Sequence, residues 1–193
     1  MANSYKDRII EPNEKIDDDV VKICCFTINP NNTLMWSHYA NDHKGICIIY
    51  ELYEFDSIAS ISLDRSIDQI DDQILRNKLV LKKVNYLNTP VQPINKLKNQ
   101  AVTHFYISKS EEWKYEDEYR IIIGQTIVLK NPITIERNQI KGIILGMKMN
   151  SDKRNEYIDL SKKHYIDKGF DFKIYNAYTM KNDYNLYLNE LRL

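Results

Sequence analysis

The chain has 193 residues, 27 basic and 27 acidic side chains, and 43% hydrophobic residues. That is enough chain, at an ordinary globular composition, for one domain with a real core, and 1–193 is read as a single domain. Zero net charge argues against general nucleic-acid binding through phosphates, leaving only a local basic patch as a route to it.

The first 20 residues are polar and no apolar run approaches bilayer length, so neither a signal peptide nor a membrane span is expected. Cys24, Cys25 and Cys47 form no C-x-x-C pair and sit inside apolar runs. They read as packed thiols of a reduced, cytoplasmic protein.

In chain order, 1–19 is a polar lead-in, and "VVKICCFTI" (20–28) has the β-branched, apolar character of a buried strand. "NPNNT" supplies a turn and a helix cap at Asn32 or Thr33, before a short helix "LMWSHYA". Gly45 suits a left-handed position closing that helix, and "ICIIYEL" follows as a second buried strand. Leu63, Ile67, Ile70 and Ile74 fall at helical spacing, which predicts an amphipathic helix over 64–77.

"LVLKKVNYL" (79–87) reads as one strand, and Ile94, Leu97, Ala101 and Phe105 mark a second amphipathic helix. "YRIIIGQTIVL" reads as a strand or strand pair bending near Gly124. "IKGIILG" (140–146), a helix at 152–167 capped by Ser151 and ending at Gly169, and "FDFKIYNAY" (170–178) resemble a β-α-β unit. The segment 180–193 reads as a C-terminal docking segment, with "YNLYLNELRL" as a docking helix. Together these predict an α+β domain, a mixed sheet flanked by helices.

Two segments carry the chemistry-bearing residues. In "MWSHYANDHKG", one reading packs Trp36 and Tyr39 in the core while His38 satisfies a carbonyl. The other makes Trp36, His38 and Tyr39 stacking and hydrogen-bonding elements around a ligand. His38 and His43 lie five apart with no third ligand placed by spacing, so no metal is expected. A thiol pair of Cys24 or Cys25 with His38 is disfavoured by the strand setting of the cysteines.

In "SEEWKYEDEYRIIIGQ", five carboxylates crowd around Trp113, Tyr115 and Tyr119. A chain extended from Tyr115 would put Glu116, Glu118 and Arg120 on one face, leaving Glu111, Glu112 and Asp117 to solvent or a turn. Such a carboxylate pair can hold one shifted acid, with Arg120 keeping its neighbour ionised. If the stretch is helical instead, Glu116 and Arg120 make a surface ion pair of little consequence.

"CCFT…LMWSHYANDHKGICIIYE", "KSEEWKYEDEYR" and "IKGIILGMKM" resemble the bacterial domain-of-unknown-function 2971 family over about 20–150. The matching residues are Met35, Trp36, His38, Tyr39, Ala40, His43, Gly45 and Cys47, then Lys109, Trp113, Tyr115, Glu116, Glu118 and Arg120. A looser likeness to ADP-ribosyltransferase folds implies an NAD- or nucleotide-dependent transferase or hydrolase, used in phage defence or as a toxin. It makes Glu118, or else Glu116, the catalytic carboxylate with Arg120 beside it, and Tyr39 or His38 a neighbour of the nicotinamide. Trp36, His43, Trp113 and Tyr115 complete the implied ligand site.

Relative to that pattern the chain starts almost at "CCFT", so the expectation includes an inactive domain, a fragment, or completion by a partner chain or second copy. The alternative is a non-catalytic ligand-binding or protein-interaction module, in which both motifs hold the sheet together.

Overall fold

The computed structural model describes residues 21–55, 57–63, 78–89, 104–124 and 134–193. The polar lead-in, the helix expected over 64–77, the 94–103 part of the second helix and 125–129 lie outside them. The fold is mixed α+β, with the described strands spread over four small sheets instead of one.

The larger sheet has the order β12-β11-β10-β2, from strands Leu186–Glu190, Lys173–Thr179, Ile140–Leu145 and Ile46–Tyr50. β10 and β11 are parallel and joined through helix α2 (Ser151–His164), so the expected β-α-β unit is present. Its side chains alternate as a strand requires. Ile143 and Leu145 pack with Ile174, Tyr157 and Ile158 on the α2 side. Ile144 points the other way, into Trp36 and Ala40 of α1 (Thr33–Tyr39) and its end. The sheet is thus covered by α2 on one face and α1 on the other.

A second sheet, β1-β9-β6, comes from Val21–Thr27, Glu118–Gly124 and Lys82–Lys83. β1 and β9 pair antiparallel over their whole length, setting Cys25 opposite Arg120 and Thr27 opposite Glu118. Ile121 and Ile123 of β9 join Ile61, Leu63, Leu79 and Leu81 in a core shared with the third sheet, β3-β4-β5 (Tyr53–Phe55, Ile58–Ser62, Lys78–Val80). A parallel pair, β7 (Asn85–Leu87) with β8 (Ser108–Ser110), completes the set.

Several sequence expectations are corrected. The 79–87 segment is three short strands, because its backbone changes partner twice. Leu81 donates to Ala59, Val84 to Glu118 and Asn85 to Ile107. The 186–190 tail is a strand; Leu186 and Leu188, two apart, both pack on the Trp36 cluster. Asn150, and not Ser151, caps α2 by accepting from Lys153 N at 2.8 Å.

Cys24 and Cys25 are exposed and Cys47 half-buried, so the expectation of packed thiols does not hold for the β1 pair; β1 is an edge strand of the described sheets. An apolar run does not distinguish an edge strand from a central one. The left-handed turn after α1 is made by Asn41, Asp42 and His43, whose φ values are 49°, 52° and 65°, and not by Gly45. Gly146 is needed for close approach, since a Cβ there would run into the His43 carbonyl.

Candidate functional site

Helix α1 begins where Asn32 can cap it. The Asn32 Oδ1 accepts from Leu34 N at 2.9 Å and Met35 N at 3.4 Å, satisfying amides that have no partner within the helix. Trp36 then points inward, 4% exposed, with its indole N–H donating to the Pro30 carbonyl at 2.7 Å. Three residues on, Tyr39 points outward and is 62% exposed. Its hydroxyl nevertheless reaches Glu116 Oε1 at 2.8 Å.

The acidic stretch is not extended from Tyr115. Glu111–Glu116 forms a 3-10 helix, and Asp117, with φ 43°, turns the chain left-handed into β9 at Glu118. Glu116 and Glu118 therefore meet through a kink and not through strand alternation. Lys109 Nζ, from β8, bonds to Glu116 Oε2 and lies 3.1 Å from Glu118 Oε2. Arg120 forks onto Glu118, Nε to Oε1 at 2.7 Å and a terminal nitrogen to Oε2 at 3.0 Å. Its other nitrogen donates to the Tyr106 carbonyl at 2.6 Å, and the Glu118 amide donates to the Tyr86 hydroxyl at 2.8 Å.

Both carboxylates are buried, Glu116 at 1% and Glu118 at 3% exposure. Burial by itself would raise the Glu118 carboxyl; hydrogen bonds from Arg120, Cys25 and Lys109 outweigh it and hold the group at about 2. Burial works against the Lys109 ammonium too, and the bonds to Glu116 and Glu118 more than compensate, raising it. Partial burial and then the Glu118 carboxylate push the Cys25 thiol up to about 11, so it stays protonated.

Around this network runs an aromatic rim. The exposed His38 ring lies 6.2 Å from Tyr39 and 6.0 Å from Trp113, which lies 5.9 Å from Tyr115. Lys109 Nζ sits 4.9 Å from the Trp113 ring centroid, a cation–π contact on the inner face of that rim.

The sequence-predicted residues thus divide. Glu116, Glu118, Arg120, Tyr39, His38, Trp113 and Tyr115 come together. Trp36 is a core residue, packed with Ile144 and Ala177. His43 is 7% exposed beneath α1, donating its amide to the Trp36 carbonyl at 3.1 Å, and its Nδ1 has no hydrogen-bond partner. Among the described residues no group of three or more His, Cys, Asp or Glu could hold a metal ion.

Lys109 binds both carboxylates, although nothing in the acidic stretch itself points to it; its only sequence signal is its place in the K-x-x-x-W pattern. No sequence pattern signals Tyr86, or the Asn32 side-chain amide that donates to the Tyr115 carbonyl at 2.6 Å.

No helix among the described residues is long and apolar enough to cross a membrane. No curated protein and no solved structure matches the chain. Residues 35–121 match the family described as "Protein of unknown function (DUF2971)", a span that runs from the residue before Trp36 to the one after Arg120. Most of the α1 helix and the Lys109–Glu116–Glu118–Arg120 network are thus the part of the chain that is similar to the DUF2971 family.

Proposed function

We propose that the His38–Tyr39–Trp113–Tyr115 rim is a binding site for a small planar ligand of the nucleotide class, and that the charge network beneath it is its scaffold. The observation that carries this reading is the division of labour at the site. Glu116 and Glu118 are 1% and 3% exposed, with oxygens taken by Lys109, Arg120 and Tyr39, while Tyr39 stays 62% exposed beside His38. A base stacked on such a side chain gains about 1–3 kcal/mol. A carboxylate titrating at about 2 does not serve as a general base near neutral pH.

The second reading is an NAD-dependent transferase resembling ADP-ribosyltransferases. It is favoured by the Tyr39–Glu116 bond, which brings the α1 motif and the carboxylates to one place. An ionised Glu118 suits stabilisation of an oxocarbenium-like transition state, a role that needs no proton transfer.

A thermal-shift screen of nucleotides and NAD on the purified chain tests both. A ligand at a hundredfold its dissociation constant adds about 2.7 kcal/mol to stability. Trp113→Ala is expected to abolish that response. If no nucleotide moves the melt, the binding reading falls. Release of nicotinamide from NAD, lost in Glu118→Gln, would put the transferase reading first.

A further inference from the structure

The 3-10 helix that carries Glu116 ends in a way its own backbone does not complete. The last carbonyls of a helix have no partner within it, and at the end of this one two in succession are taken by side chains from far upstream. Asn32 Nδ2 donates to the Tyr115 carbonyl at 2.6 Å, and Thr27 Oγ1 donates to the Glu116 carbonyl at 2.7 Å. The same Asn32 amide caps α1 through its oxygen. One planar group therefore joins the start of the helix bearing Tyr39 to the end of the helix bearing Glu116.

Asn is suited to this double task. Ser, Thr and Asp also cap helices, but only an amide offers an acceptor oxygen and N–H donors on opposite arms of one rigid plane.

We infer that Asn32 and Thr27 are positioning residues for the candidate site: they set the distance at which the Tyr39 hydroxyl meets Glu116. Both lie upstream of residues 35–121, so the site is held from outside the segment that matches the family. As a statement about ligand binding this rests on the reading of the rim given above; as a statement about geometry it does not.

The test reads the geometry without any ligand. The Tyr39 phenol is raised from its ordinary value by partial burial and by its bond to Glu116, with Lys109 opposing and Glu118 adding a smaller push. In a chain labelled at the tyrosine ζ-carbon, Tyr39 is assigned by its loss in Tyr39→Phe and titrated by NMR. Asn32→Ser keeps a cap for α1 but loses the donor to Tyr115.

The expected result is a folded protein whose Tyr39 midpoint moves down toward that of exposed tyrosines. Thr27→Val, isosteric and without the hydroxyl, is expected to move it the same way and decides the matter if Asn32→Ser does not fold. An unchanged Tyr39 titration in the folded variants overturns the inference, whatever ligands do. A wild-type chain that binds no nucleotide removes the proposed function and leaves this test standing.

Discussion

In the β10–α2–β11 unit the most deeply buried side chains are Ile144, Leu145 and Ile174, exposed by 1%, 0% and 1%. Around α1 and the 111–116 turn, Glu116 and Glu118 are buried almost as completely. Apolar burial is non-directional and contributes about 1.5–3 kcal/mol per large side chain, so it tolerates small shifts. A buried carboxylate costs several kcal/mol to desolvate, recovered only if a cation and hydrogen bonds stand in the right places. One region is held by volume and the other by placement, so they should fail differently.

The largest expected effect is at Lys109. Glu118 keeps Arg120 if Lys109 is neutralised, whereas Glu116 is left with the Tyr39 hydroxyl. Lys109→Met is therefore expected to lose about 3–5 kcal/mol in denaturant melts, as for a broken buried pair. Adding Glu116→Gln should return much of that loss, because the unpaired charge goes with it. Leu145→Ala is expected to lose about 2–5 kcal/mol, and no second polar change should restore it. A Lys109→Met protein as stable as the wild type would end the contrast.

Acid should separate the regions next. Glu118 titrates at about 2 in the fold against 4.5 in the free carboxyl. The unfolded chain therefore binds more protons across that window, and the stability Glu118 contributes is complete above 4.5 and lost as pH falls toward 2. Its size is on the order of 3 kcal/mol.

His43, lowered from 6.5 by burial and then by Lys148, with Asp42 opposing, acts earlier. Its share is full above the ordinary histidine range and lost as pH falls below it. Stability measured against pH should thus show two steps. Glu118→Gln should shrink the lower one, to which the lowered Asp42 and Asp183 also contribute, and His43→Gln should remove the upper. A single step common to both variants would refute the assignment.

The smallest expected effect lies in the regular half. Asn150 caps an exposed helix end and touches nothing in the charge network. Asn150→Ala should cost about 1 kcal/mol in a thermal melt and leave the Tyr39 phenol titration unmoved. A change in that titration would mean the two regions are coupled.

The regular half was also the more legible. "IKGIILG", a polar helix and "FDFKIYNAY" gave the parallel pair and its crossover, because strand and helix periods are local properties of the chain. A cap at Asn32 or Thr33 is readable for the same reason, and the structure places it at Asn32. The route by which the acids meet was not. Strand alternation predicted the company of Glu116, Glu118 and Arg120, yet the structure reaches it through a 3-10 helix and a left-handed Asp117. Asn, Asp and His are the non-glycine residues most often left-handed, yet their presence does not say which of them will be, and Asn41, Asp42 and His43 displaced the expected role of Gly45 in the same way.

By itself, the sequence determined an α+β chain of balanced charge, with a short capped helix and an acidic, aromatic turn ahead of an isoleucine strand. The tertiary structure decided which side chains do which work: Trp36 became core, Tyr39 became rim, and Lys109 became the counter-ion of two buried carboxylates. The physical reason is that periodicity records which face a residue occupies on its own element. A buried polar network depends on where separate elements come to rest against one another: β8, the 3-10 helix and β9 bring Lys109 to both carboxylates, and Tyr39 reaches Glu116 from 77 positions away.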